Sequence, residues 1–298
     1  MSKINLARAK RFATPWLFLV PTLIVILVLD LYPFFTIWDF SLRSWSFGHP
    51  ETMGQAVGLL NYFRMMHDVT FWDSIRITLT IFGIALPVEF FLGFFVALVL
   101  YHKVSDRIRK ILIIPLLIPL TTAPVVVGLV FKYIFQGDFG VFTYYANLLG
   151  YFREGSVLGS PNTVLPAVTI VEIWHWTFFI GLILLAGLLA LPREPYEAAA
   201  MDGATSWMKF KYITFPFLKP LMGIVVILRA MDLMRLFDEL YILTGGGPGT
   251  SSESLMMYTY RTNFVWWDFG FGGAVSLFFF TIILLMSLVF FDATSRKD

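Results

Sequence analysis

Glu172 and His175 stand three residues apart in an apolar stretch, and a spacing of three puts them on one face of a helix. Such a pair could act as a general acid and base. Further on, Arg229, Asp232, Arg235, Asp238 and Glu239 recur at spacings of three and four, again predicting one helical face. Ionisable groups in apolar segments are costly and normally face a cavity or one another. The face therefore lines a polar pathway, or Arg229 with Asp232 and Arg235 with Asp238 or Glu239 neutralise one another and hold helices together. Five groups are more than packing requires, which favours the pathway. A lone acid and base in an apolar helix is more often a polar lining or a helix bridge than a catalyst. Trp174, Trp176, Phe178 and Phe179 flank Glu172 and His175. Rings beside hydrogen-bonding groups suit the alternating apolar and hydroxyl faces of a sugar or polyol. With 18% aromatic residues throughout, most rings must nevertheless pack or face lipid.

These residues need helices long enough to carry them. The chain is 58% hydrophobic and 14% charged, whereas soluble domains carry roughly 25% charged residues. This is the composition of an all-α integral membrane protein. With about 20 apolar residues per span, the 298 residues accommodate six transmembrane helices, at 16–40, 74–101, 111–135, 164–191, 221–243 and 269–291. Residues 1–15 form a basic arm ahead of the six-span domain 16–298. Asp30 is expected near the outer end of the first span. Pro115, Pro119 and Pro124 predict a kinked third span. At a rise of about 1.5 Å per residue, Glu172 and His175 lie roughly 12 to 17 Å from the outer start of the fourth span, and Asp232 about 17 Å from the inner start of the fifth. Glu89 reaches a similar level, so these groups meet near the midplane.

Basic residues set the orientation. With both termini inside, the inner side holds Lys3, Arg8, Lys10, Arg11, Lys103, Arg107, Arg109, Lys110, Arg193, Lys209, Lys211, Lys219, Arg296 and Lys297. The outer side holds Arg43, Arg64, Arg76, Lys132, Arg153 and Arg261. That bias puts both termini and the loop between the fourth and fifth spans in the cytoplasm. A net charge of +2 without a basic block gives no sign of nucleic-acid binding, and the absence of Cys excludes disulfides and thiol catalysis. His49, His67, His102 and His175 are scattered, which leaves no metal-ligand spacing. The glycines of 245–249 lack a following Lys-Ser/Thr and form no phosphate cradle. Their expected use is a flexible turn at the outer end.

The inner loop, 192–220, is the longest polar-to-amphipathic interruption between two apolar segments. Pro195 suits a first helical position, Glu197 to Ala200 are good helix formers, and Gly203 stops the helix. Ser206 to Tyr212 then predicts a second, amphipathic helix ending at Pro216. An interfacial amphipathic helix explains the placement of Trp207, Lys209 and Lys211. It does not explain an Ala-rich turn followed by Asp202, Gly203 and Ala204.

Glu197, Ala198, Ala199, Asp202, Gly203, Ala204, Ile213, Phe215 and Pro216 resemble the EAA loop of the permease subunits of binding-protein-dependent ABC importers. The one departure is Phe215, where the pattern usually has Leu. Ala190, Leu191 and Pro192 before the loop, and the run 243–248 with Tyr258, Tyr260, Arg261 and Phe264, are similar to the carbohydrate branch, most of all the maltose-permease larger-subunit type. The resemblance implies a cytoplasmic coupling helix between spans four and five, formed by Glu197, Ala198, Ala199, Asp202, Gly203 and Ala204, that docks on an ATPase. It further implies a second homologous permease, an ATPase dimer holding ATP and Mg, an extracytoplasmic solute-binding protein, and multi-pass insertion in a bacterial cytoplasmic (inner) membrane among its lipids. The chain itself then needs no cofactor and is no enzyme. Solute contacts carried over from that type fall at Glu172, Trp176, Phe179, Asp232, Arg235 and Leu236, and the neighbouring charged groups His175 and Glu239 join them on the expected substrate pathway. Where that type tends to have amides this chain has charges, which points to a polyol or small sugar. The alternative is an ion-coupled secondary transporter using the charged fifth span, although such proteins commonly show inverted repeats and none is evident between these halves.

Overall fold

The computed structural model describes residues 18–150 and 156–295, with side chains to residue 289. The basic arm 1–15, Arg153, Arg296 and Lys297 lie outside the described residues. Among those described, the secondary structure is helical apart from two isolated β-bridges. The helices are α1 (Phe18–Ser41), α2 (Leu60–His67), α3 (Val69–His102), α4 (Asp106–Thr121), α5 (Pro124–Ile134), α6 (Val141–Leu148), α7 (Pro161–Leu189), α8 (Glu194–Met201), α9 (Ser206–Met234), α10 (Asp238–Thr244), α11 (Leu255–Tyr260) and α12 (Phe269–Ser295). Five of them, α1, α3, α7, α9 and α12, are long and apolar enough to cross a membrane. The bent pair α4–α5 supplies a sixth crossing if it is counted as one span.

Three expectations change in the folded chain. The third span is broken rather than kinked: α4 ends at Thr121, α5 begins at Pro124, and their axes differ by 92°. Pro124 disfavours the helical conformation at Ala123, whose φ of −61° and ψ of 138° are extended. The second loop helix does not end at Pro216. It runs into the fifth span as α9, with the wider turn Phe210–Thr214 near its start, where Pro216 removes a backbone donor. Asp30 is not near a span end, because α1 continues through Ser41.

The chain divides into two compact units. In the first, α2 and the start of α12 pack on the segment that follows α1. Asn61 Nδ2 donates to Ser41 O and Arg43 O, each at 2.9 Å, and Arg64 pairs with Asp268 at 3.3 Å. Gly273 permits close approach, since a Cβ there would lie 3.1 Å from Ile37 O.

The second unit, residues 68–258 with the end of α12, has a closely packed helix pair at its centre, α3 against α7. A Cβ on Gly93 would lie 2.7 Å from Thr177 O and 2.9 Å from Gly181 N, so only glycine lets these backbones touch. Two apolar clusters flank this pair. Ile81, Ala85, Val164, Val168, Val171, Leu233 and Leu240 fill one side. Ala97, Ile180, Leu184, Leu188, Leu218, Met222 and Val225 fill the side nearer the α7–α9 connection. Between the two clusters, on α3, α7, α9 and α10, lie Glu89, Glu172, His175, Arg229 and Glu239, all buried.

Candidate functional site

Arg229 centres the charged layer. Its Nε donates to Glu89 Oε2 at 2.6 Å and its Nη2 to Glu89 Oε1 at 3.1 Å, while Nη2 also donates to Glu172 Oε1. A planar guanidinium offers several fixed donors, which suits it to hold two carboxylates from two helices. Trp176 covers its face, with the Cζ atom 4.7 Å from the ring centroid. Phe179 meets Trp176 edge-on at 6.0 Å. One turn of α7 beyond Glu172, His175 hydrogen-bonds Glu239 Oε1 through Nδ1 and lies 3.2 Å from Thr122 O through Nε2.

Three carboxyl groups thus meet one guanidinium and one imidazole, and Glu172 faces Glu239 as well as Arg229. Glu172 Oε2 is buried without a hydrogen-bond partner among the described residues. The layer is a shared network, since a fully ionised set would leave a net negative charge in a dry interior.

The expected five-residue face on the fifth span does not form. α9 ends at Met234, residues 235–237 leave the helix, and α10 restarts at Asp238. Arg229 turns to Glu89 and Glu172 instead of Asp232, and Glu239 turns to His175 instead of Arg235. Asp232 pairs with Arg235 at 3.0 Å, and these side chains are 42% and 54% exposed. The physical reason is the break: it rotates Asp238 and Glu239 off the line of α9, and buried charges take partners from other helices in preference to an exposed neighbour. Leu236 is 9% exposed and joins the apolar cluster. Glu172, His175, Trp176 and Glu239 are therefore brought together, Phe179 borders them through Trp176, and Asp232 with Arg235 stands apart on an open surface. Arg229 and Glu89 form the centre of the layer, a pairing that the expected site residues did not include. Their signal was present, an Arg and a Glu at the expected midplane depth on two different helices.

The α7–α9 connection is built differently. Glu194 and Glu197 lie in the first turn of α8, where acid complements the helix dipole, with Pro195 at its start. Its end is closed by glycine. Gly203 takes φ of 73°, Gly203 N–H donates to Ala200 O at 3.1 Å, and Ala204 N–H donates to Ala199 O at 2.8 Å. These two bonds form a Schellman stop, which favours glycine at the left-handed position. Thr205 Oγ1 then caps the start of α9, accepting from Met208 N–H. Glu197, Ala198, Asp202 and Gly203 are exposed, Ala199 and Ala204 are half-buried, and α8 buries no residue fully. Met201 and Trp207 are 88% and 68% exposed. Sequence reasoning missed Tyr196, whose hydroxyl lies 2.8 Å from Thr214 Oγ1 and pins α8 to the base of α9. Burial pushes the Tyr196 phenol pKa up.

Residues 89–295 match the model of the binding-protein-dependent transport system inner membrane component family. The trehalose/maltose transport system permease protein MalF of Thermococcus litoralis is 35% identical, over 97% of this chain and 95% of its own. The sulfoquinovosyl glycerol transport system permease protein SmoG of Agrobacterium fabrum is 33% identical, over 95% of this chain and 90% of its own. A chain from the crystal structure of a bacterial ABC transporter involved in the import of the acidic polysaccharide alginate superimposes with a TM-score of 0.84, covering 99% of both chains. At 20% identity that likeness concerns the fold. The helical architecture, the family match and the two relatives agree: this chain belongs to the inner membrane components of binding-protein-dependent transport systems, the membrane-spanning permease subunits of ABC importers.

Proposed function

We propose that this permease imports a carbohydrate or polyol, as one of two homologous permease subunits driven by a separate ATPase dimer. The observation that carries the solute class is the 35% identity, along nearly the whole chain, to a protein named for trehalose and maltose transport. The relative named for sulfoquinovosyl glycerol extends the class to glycosides. ATP and Mg act in the ATPase partner, and an extracytoplasmic binding protein delivers the solute. A solved transporter of this fold is described in complex with a solute-loaded periplasmic protein, which supports that partner.

The α8 surface is the docking face for the ATPase. Glu197, Ala198, Ala199, Asp202, Gly203 and Ala204 form a short helix and its stop, and the exposure of Glu197, Ala198, Asp202 and Gly203 leaves them available to a partner. The basic residues around this connection put it, and both termini, on the cytoplasmic side of the inner membrane. Closure of the ATPases then pushes α8, and Tyr196 passes the push to α9 through Thr214. The solute path runs along Trp176, Phe179, Asp232 and Arg235, with Leu236 in the apolar cluster behind them and Glu172, His175 and Glu239 fixing the wall. An aromatic face and an exposed ion pair suit a polyhydroxylated solute, which presents CH faces and hydroxyl groups.

The test is purification from native membranes through a tag on this chain. Co-elution of a second permease and an ATPase, with hydrolysis stimulated by one solute-loaded binding protein, is the expected result. Recovery of the chain alone, transporting on an ion gradient, would overturn it.

A further inference from the structure

Two helix breaks lie beside the charged layer, one between α4 and α5 and one between α9 and α10. The short helices after the breaks, α5 and α10, pack on each other through Gly128, where a Cβ would come 2.9 Å from Glu239 O. α4 and α9 both run away from the connections that precede them, 103–105 and 202–205, so α5 and α10 lie on the far side of the layer from α8. One side chain from α7 reaches both breaks. His175 Nε2 lies 3.2 Å from Thr122 O at the first, and Nδ1 bonds Glu239, the second residue after the other.

In the tautomer that bonds Thr122, Nε2 carries the hydrogen, because a carbonyl oxygen only accepts. The bond between Nδ1 and the Glu239 carboxyl then requires a hydrogen of its own, on the ring or on the carboxyl. Either way the pair holds one proton more than a neutral imidazole beside a carboxylate. Without it, the Nδ1 lone pair and the carboxylate oxygen would face each other as two acceptors.

We propose that His175 is a positioning residue for transport, a proton-held latch that fixes the α5–α10 pair to α7 and releases it when the proton shared with Glu239 is lost. The proposal rests on the importer reading, in which the solute path passes Trp176 and Phe179 on α7, the helix that carries His175. The charged groups facing the latch are Glu172 on its own helix, Arg229 from α9, Glu239 from α10 and Glu89 from α3. The end of α4 contributes backbone carbonyls of Pro119 and Thr122, and Lys132 and Tyr133 of α5 are exposed. Arg229 is held by Glu89 and Glu172, and Glu239 also meets Glu172 and the Trp176 indole, so His175 is the base among its hydrogen-bond partners.

The chain has no cysteine of its own, so it takes up label only at introduced positions. Spin labels at Tyr133→Cys on α5 and Ile170→Cys on α7, both exposed positions, report the α5–α7 distance. The full chain is measured in lipid nanodiscs with its co-purifying subunits, without ATP or solute, from pH 5 to 9.5. The latched distance should dominate at low pH, and the released-to-latched ratio should rise about tenfold per pH unit, as loss of one proton requires. Glu239→Gln can donate an amide hydrogen to Nδ1 while Nε2 still donates to Thr122, so it should stay latched at every pH. His175→Leu should be released at every pH.

A wild-type distance that does not change with pH would overturn the proposal, as would a Glu239→Gln protein that titrates like wild type. The Gln variant keeps the test valid if His175→Leu fails to fold. Because the distances are read without ATP or solute, a failure here is separable from a failure of the importer reading, which shows in co-elution and stimulated hydrolysis.

Discussion

The charged layer and the α8 connection are polar regions of this permease that treat their polar groups in opposite ways. In the layer, Glu89, Glu172, His175, Arg229 and Glu239 are buried and take partners within the chain. At the connection, Glu197 and Asp202 are exposed, and backbone bonds together with the Thr205 cap and the Tyr196–Thr214 hydroxyl pair shape the helices. The difference separates two kinds of function. Groups bonded to one another across helices hold those helices together, whereas an exposed surface leaves its groups open to another protein. Replacements in the layer should therefore act first on stability, and replacements at the connection first on coupling.

The largest effect is expected at the centre of the layer. Arg229→Ala leaves two buried carboxyl groups without their cation, a loss on the order of 3 to 5 kcal/mol. Thermal unfolding of the detergent-purified chain should show a strongly destabilised or unrecoverable protein, and a protein of wild-type stability would remove the layer's structural role. Tyr196→Phe loses one hydrogen bond to Thr214, worth about 0.5 to 1.5 kcal/mol. Here the same melt should fall slightly, while ATP hydrolysis and transport become partly uncoupled. Equal loss of both activities would instead mean that α8 had simply come loose. The smallest stability effect belongs to Asp232→Asn, because a pair 42% and 54% exposed contributes only about 0 to 1 kcal/mol. Its expected signature is a changed concentration dependence of solute uptake on an unchanged melt.

Much of this was legible in the sequence, for reasons particular to each element. Gly203 after a run of good helix formers announced the stop at the end of α8, because few other residues tolerate its backbone conformation. The depth of Glu89, Glu172 and Asp232 could be counted along the spans, and two of the three do meet near Arg229. Helix spacing failed at Arg235, where the chain leaves the helix and the one-face rule no longer applies. Partner choice was hidden for the same reason. Spacing relates residues along one helix, while the bonds of Arg229 and His175 run between helices that only the folded packing brings together. Pro124 signalled a disturbance in the third span without giving its angle, since that depends on α10 packing at Gly128.

The contrast between the two regions is tested most directly at one exposed residue. Glu197→Lys reverses a charge in the first turn of α8 and touches none of the layer's hydrogen bonds. The measurement is the amount of ATPase that co-elutes with the tagged chain from native membranes, compared with wild type. The expected result is full recovery of a stably inserted chain with most of the ATPase lost. Full ATPase recovery together with undiminished uptake would contradict the reading of α8 as the docking surface.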